Sequence, residues 1–208
     1  MSKMSSAGVL PARRAAFTVK ELTVIGMLAS ITILLGVTGY GFIPLFYMKA
    51  TILHVPVIIG AVLAGPRVGM MVGFIFGVFS MFQAVTAPTS VMSIFLNPFV
   101  DPRNLITVMV PRILIGLTAY LVYRFMIGGK TLRMALAAIC GSMVNTVLFM
   151  SCIYIFHAEE FAAAQNMSVD VVWNIVVGIC ISNGIPEALV AAAITVPVVL
   201  AVQKAQKR

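Results

Sequence analysis

The sequence predicts an all-α integral membrane protein of six transmembrane helices, with both termini cytoplasmic and an outer lid-like loop between helices 3 and 4. Three observations predict it. Hydrophobic residues fill 61% of the 208 positions and charged residues only 10%, whereas a soluble domain carries about 25% charged residues. Mean hydropathy is +1.08, and at roughly 20 apolar residues per span the chain holds five to seven spans and no sizeable soluble domain. The basic residues then choose among those counts. Eleven of fourteen (Lys3, Arg13, Arg14, Lys20, Arg67, Arg124, Lys130, Arg133, Lys204, Lys207 and Arg208) fall on one side of the spans drawn below, and only Lys49, Arg103 and Arg112 on the other. Positive charge marks the cytoplasmic side, so both termini lie inside and the number of spans is even. Six fits and seven does not.

The elements follow in order. Residues 1–18 form a basic cytoplasmic segment, residues 19–203 a single six-helix membrane domain, and residues 204–208 a basic cytoplasmic tail. The run from Leu22 to Leu35 lacks a small-x-small cleavage site and is read as a retained first span, Val19 to Val37, ended by Gly39, Gly41 and Pro44. The second span, Ala50 to Ala64, is short, contains Pro56 and stops at the inner turn Gly65-Pro66-Arg67. Span three runs from Val68 to Val85. Thr86 to Asn104 then holds Pro88, Pro98 and Pro102 around an apolar patch. It cannot be one regular helix and is expected to fold over the outer mouth as a lid or partly re-entrant loop. Span four is Leu105 to Met126 and span five Leu132 to Phe156, joined by a basic inner connection. After the acidic stretch His157 to Asp170, the 32 apolar residues Val171 to Val202 exceed one crossing of about 20. They divide into an outer segment up to Asn183 and a sixth span from Gly184, kinked by Pro186.

Several function classes are disfavoured by the same reading. The net charge of +8 belongs to the inner loops and tails, with no basic domain or stacking platform for nucleic acid. Cys140, Cys152 and Cys180 lie in apolar runs without CxxC spacing, which makes them small core residues rather than a metal or redox site. No Gly-x-Ser-x-Gly elbow, His-Glu-x-x-His helix or phosphate-cradling glycine loop occurs. No cofactor and no metal are expected.

Polar side chains inside spans are costly and therefore informative. At 1.5 Å per residue, Gln83 lies about 24 Å above Arg67 and Asn145 about 18 Å above Arg133. His54 is about one turn below Lys49, Arg112 is two turns into span four from its outer end, and Asn183 and Glu187 open span six. These groups share an outer layer, which suggests an outward-opening pocket. Each has a structural alternative: Asn145 bonding a neighbouring helix, His54 as a satisfied core histidine, Arg112 snorkelling to the surface. Lys49 and Arg112, with His54 when protonated, outnumber Glu187, so a small anionic ligand with hydroxyl or amide groups suits the layer. An Arg112–Glu187 ion pair would leave Lys49 or His54 to meet it. On span one, Gly26 and Ser30 with Ala29 beside them form a small-xxx-small pattern that suits helix packing or docking of a partner.

The motifs from Lys49 through Thr51 and His54 to Gly60, from Val110 to Gly116, and from Asn183 to Ala188, with the Phe95–Phe99 lid segment containing Asn97, together resemble the substrate-binding components of energy-coupling factor transporters. The resemblance spans about Lys20 to Val202. It implies a six-helix subunit that binds a vitamin from outside, with Lys49, Thr51, His54, Gln83, Asn97, Arg112, Asn145, Asn183 and Glu187 as substrate-binding candidates. It also implies association with a transmembrane coupling protein and two cytoplasmic ATPases, the docking face being Gly26, Ala29 and Ser30. That face matches the family's Ala-xxx-Ala pattern only as small residues. The chain itself has no Gly-x-x-x-x-Gly-Lys-Ser/Thr loop. The His-Val-Pro-Val segment and the lid most resemble the pantothenate branch, with riboflavin and folate as alternatives. A stand-alone secondary carrier would normally show internal repeats, and no convincing repeat relates the two halves. A small membrane enzyme acting on lipid head groups would use the same outer layer as its active site.

Overall fold

The computed structural model describes residues 17–44, 49–86 and 101–206. Seven helices and one small hairpin occur among them: α1 Val19–Thr38, β1 Phe42–Pro44, β2 Lys49–Thr51, α2 Val55–Ala64, α3 Pro66–Thr86, α4 Arg103–Phe125, α5 Lys130–Ala164, α6 Val169–Ser182 and α7 Gly184–Ala205. Local chemistry sets the ends. Thr18 and Glu21 form a reciprocal capping box at the start of α1, and Gly39 closes that helix with φ 77°, a left-handed value that glycine adopts without a Cβ penalty. Gly65, with φ 96°, turns α2 directly into α3, which starts at Pro66 rather than at the expected Val68, proline being well suited to a first helical turn.

Five segments are long and apolar enough to cross a membrane: α1, α3, α4, α5 and the consecutive pair α6–α7. Their outward faces stay apolar, with Met27, Leu34, Phe82, Ile155 and Leu189 all at least 60% exposed. That is the pattern of helices solvated by lipid. The second expected span differs from the rest. Lys49–Thr51 pairs with Phe42–Pro44 as an antiparallel hairpin, so only ten residues remain helical, about 15 Å of rise. This short helix is the centre of the bundle, buried from Val55 to Val62 and surrounded by α1, α3, α4, α5 and α7.

Two further boundaries shift. Helix α4 starts at Arg103 rather than Leu105. The fifth span continues past Phe156 to Ala164, because the helix bends at His157 (φ −137°, ψ 20°) instead of ending there; its acidic residues Glu159 and Glu160 are therefore helical. The break at Asn183 agrees with the expected kink. Pro186 has no N–H for the Ser182 carbonyl, and its ring crowds that carbonyl, which interrupts the ladder four residues upstream. The basic segment 1–16, the lid segment 87–100 and the last two residues lie outside the described residues.

Glycines let α3 and α4 approach closely. Gly69, Gly73 and Gly77 recur every four residues along α3; a Cβ at Gly73 would collide with the Arg112 carbonyl, one at Gly116 with the backbone of Gly69, and one at Gly77 would lie 2.6 Å from Met109 Sδ. Small residues at that spacing bring membrane helices into backbone contact. The stripe fixes where α4 presents Arg112.

Candidate functional site

The outer layer assembles where two helices begin inside the protein. Helix α2 starts after His54 and helix α7 after Asn183, neither with a side-chain cap. Helix starts carry unsatisfied N–H groups and a partial positive charge, so two broken helices converging on one depth favour an anionic group between them. A carboxylate joins the two starts. Glu187 Oε1 accepts from the Thr51 backbone N–H at 2.7 Å, and Oε2 accepts from Thr146 Oγ1 at 3.3 Å. This ties hairpin strand β2, α5 and α7 together.

The alternative ion pair between Arg112 and Glu187 is absent among the described contacts. The described salt bridges all belong to Arg103, and Arg112 interacts with Glu187 only at longer electrostatic range. Its guanidinium lies over the rings of Phe149, 4.3 Å from the centroid, and Phe76, 5.8 Å from it. Nε and Nη1 are buried with no hydrogen-bond partner among the described residues. The guanidinium is therefore stacked rather than snorkelled. His54 is fully buried, and neither its ring nitrogens nor Asn145 Oδ1 have a partner among the described residues. Neither a satisfied core histidine nor an Asn145 carbonyl bonded to a neighbouring helix describes the arrangement. Burial without a partner costs on the order of 1–3 kcal/mol per group, and such groups concentrate here.

The remaining candidates are placed differently. Gln83 donates to the Gly36 carbonyl of α1 at 3.5 Å, linking the outer ends of α3 and α1. Asn183 is buried at the α6–α7 junction. Lys49 contributes its backbone to β2, its side chain lies outside what is described, and Asn97 falls in the undescribed lid segment. On α1, Gly26 and Ser30 face outward, and a Cβ at Gly26 would meet nothing within 4 Å. Ser30 Oγ donates to the Gly26 carbonyl at 2.8 Å, which leaves that face without a free hydroxyl proton. Ala29 is buried in the bundle and so does not share the face.

Thr146, Phe149 and Phe76 are the site residues that sequence reasoning missed. A signal existed for two of them: Ser142, Asn145, Thr146 and Phe149 fall at i, i+3, i+4 and i+7, one face of α5.

Comparison with known proteins shows the family. Residues 20–199 match the family model described as ECF transporter, substrate-specific component. The chain is 33% identical over 168 residues to the pantothenic acid transporter PanT of Lactococcus lactis subsp. cremoris, an alignment covering 77% of this chain and 81% of that protein. It is 32% identical over 117 residues to the pantothenate transporter PanT of Leuconostoc mesenteroides, covering 51% of this chain and 54% of that one. With a bundle of apolar crossing helices, a polar layer at the starts of two broken helices and a family match over nearly its whole length, the chain belongs to the substrate-specific components of ECF transporters.

Proposed function

We propose that this chain is the pantothenate-binding membrane subunit of an ECF uptake transporter, taking the vitamin from the outer side at the Arg112 layer. The observation that carries the reading is Arg112, a half-buried cation set over two rings, with its Nε and Nη1 buried and free of any described partner. Pantothenate has one carboxylate, which a guanidinium can take in two parallel hydrogen bonds. Its hydroxyl and amide groups suit His54 and Asn145, whose ring nitrogens and Oδ1 respectively also lack partners among the described residues. The names of the two relatives support the same vitamin.

Delivery then depends on other subunits. The sequence has no Gly-x-x-x-x-Gly-Lys-Ser/Thr loop, so ATP is hydrolysed by two cytoplasmic ATPases and the force reaches this chain through a transmembrane coupling protein. The outward face at Gly26 and Ser30 is the docking face for that protein, because its lack of bulk permits close helix approach.

Native mass spectrometry of the purified chain against a vitamin panel tests the proposal. Retained pantothenate without ATP is the expected result, weakened by Arg112→Gln and by Asn145→Ala in folded protein. Unchanged affinity in both variants removes the pocket, and retention of another vitamin replaces the ligand. Uptake by this chain alone in vesicles under an ion gradient would make it a stand-alone carrier instead.

A further inference from the structure

We propose that Phe149 is a positioning residue that gives the site its selectivity for a carboxylate, by holding the Arg112 guanidinium away from Glu187. This rests on the assignment of Arg112 to the acidic group of pantothenate. Three elements define the arrangement: α4 carries the cation, α5 carries the ring at 4.3 Å, and α7 carries the only buried carboxylate among the described residues. Opposite charges at electrostatic range within a protein interior attract strongly, yet Arg112 and Glu187 form no ion pair among the described contacts. Glu187 is occupied by Thr51 and Thr146, while Arg112 lies over aromatic rings.

The geometry of a guanidinium explains why this matters. It stacks through its planar face, and its five N–H bonds point outward in that plane. A ring against the face therefore satisfies the cation in part while leaving the edge open to a two-point hydrogen-bonded carboxylate. An aliphatic side chain at 149 fills similar space but offers no negative face. The guanidinium then gains more by turning to Glu187, and a self-neutralised site no longer distinguishes an acid from a neutral analogue. Phe76, farther away at 5.8 Å, is placed to assist but not to replace it.

The test compares pantothenate with its neutral alcohol analogue pantothenol, titrated calorimetrically into the purified full chain in detergent. The wild type is expected to prefer the acid by about tenfold or more. Phe149→Leu is expected to bring that preference within about threefold while pantothenol still binds, and Phe149→Trp to keep it, since tryptophan offers the better face. Pantothenol binding reports that each variant is folded. Equal loss of both ligands in Phe149→Leu, or a preference that survives it, overturns the proposal. A wild type that does not discriminate, or an Arg112→Gln variant that still does, overturns the Arg112 assignment and this proposal with it. Discrimination lost in Arg112→Gln but kept in Phe149→Leu overturns the role of Phe149 alone.

Discussion

Arg112, His54 and Asn145 keep buried polar atoms that have no partner among the described residues, and the energetic meaning of the candidate site depends on which of these atoms a ligand would complete. Removing the cation should be the most severe single change for binding. Arg112→Gln retains a donor but loses the charge-assisted pair, so pantothenate affinity is expected to fall by about 1.5–3 kcal/mol, roughly ten- to a hundred-fold, in a titration of the purified chain. The residues of the layer differ in how visible they are beforehand. Arg112, His54 and Glu187 stand out because an ionisable group inside a span is costly and therefore conspicuous. Phe149 does not stand out, being one of thirteen phenylalanines in an apolar chain; only the position of Arg112 in space distinguishes it from lipid-facing rings. The alternative Arg112–Glu187 pair fails for the same reason: sequence depth brings the two charges to one level, but not the backbone N–H of Thr51 that claims the carboxylate.

Helix contacts determine whether that layer holds its shape. The Gly73 position touches the backbone of Arg112 and Ile113, so Gly73→Ala is expected to separate α3 from α4 at a cost of about 1–3 kcal/mol, seen as a lower thermal midpoint and weaker ligand binding together. Gly26→Ala meets open space and should leave the thermal midpoint unchanged within about 0.5 kcal/mol. At the outer end of α4, Asp101 accepts from the Arg103 backbone N–H at 2.8 Å and from Arg103 Nε at 2.6 Å, while Arg103 Nη1 donates to the Phe156 carbonyl beside the α5 bend. These bonds hold the Asp101 carboxyl below its ordinary range. Its stabilising effect is present above the ordinary aspartate value of about 4 and is lost as pH falls through the depressed one. Protection of amides at the start of α4, taken relative to their intrinsic exchange rate at each pH, should therefore fall below about pH 4, and in Asp101→Asn it should be low at neutral pH and change little with acid. At this scale the long apolar runs and the Gly-Pro turn are legible in sequence. The β1–β2 hairpin and the overrun of α5 are not, because a three-residue strand carries no period and His157 bends a helix without a proline to announce it.

For the whole molecule, binding and delivery should separate by mutation. Gly26→Leu, on the open face of α1, is expected to leave pantothenate affinity unchanged while abolishing uptake in vesicles holding the coupling protein and ATPases; unimpaired uptake would move docking to another face. The helix order and the polar layer at the start of α7 were legible from apolar length, charge asymmetry and Pro186, whereas the central burial of α2 follows from packing by five neighbours. A half-buried cation whose Nε and Nη1 have no partner among the described residues is expected to make the unliganded fold less stable than an apolar substitute would, since replacing buried charge by well-packed hydrophobic groups is often stabilising by about 1–4 kcal/mol. Arg112→Met should therefore raise the thermal midpoint of the empty chain, with sulfur against the Phe149 and Phe76 rings, while removing the further rise that pantothenate gives the wild type. On the proposed reading, this arginine trades stability of the empty fold for recognition of the acidic ligand.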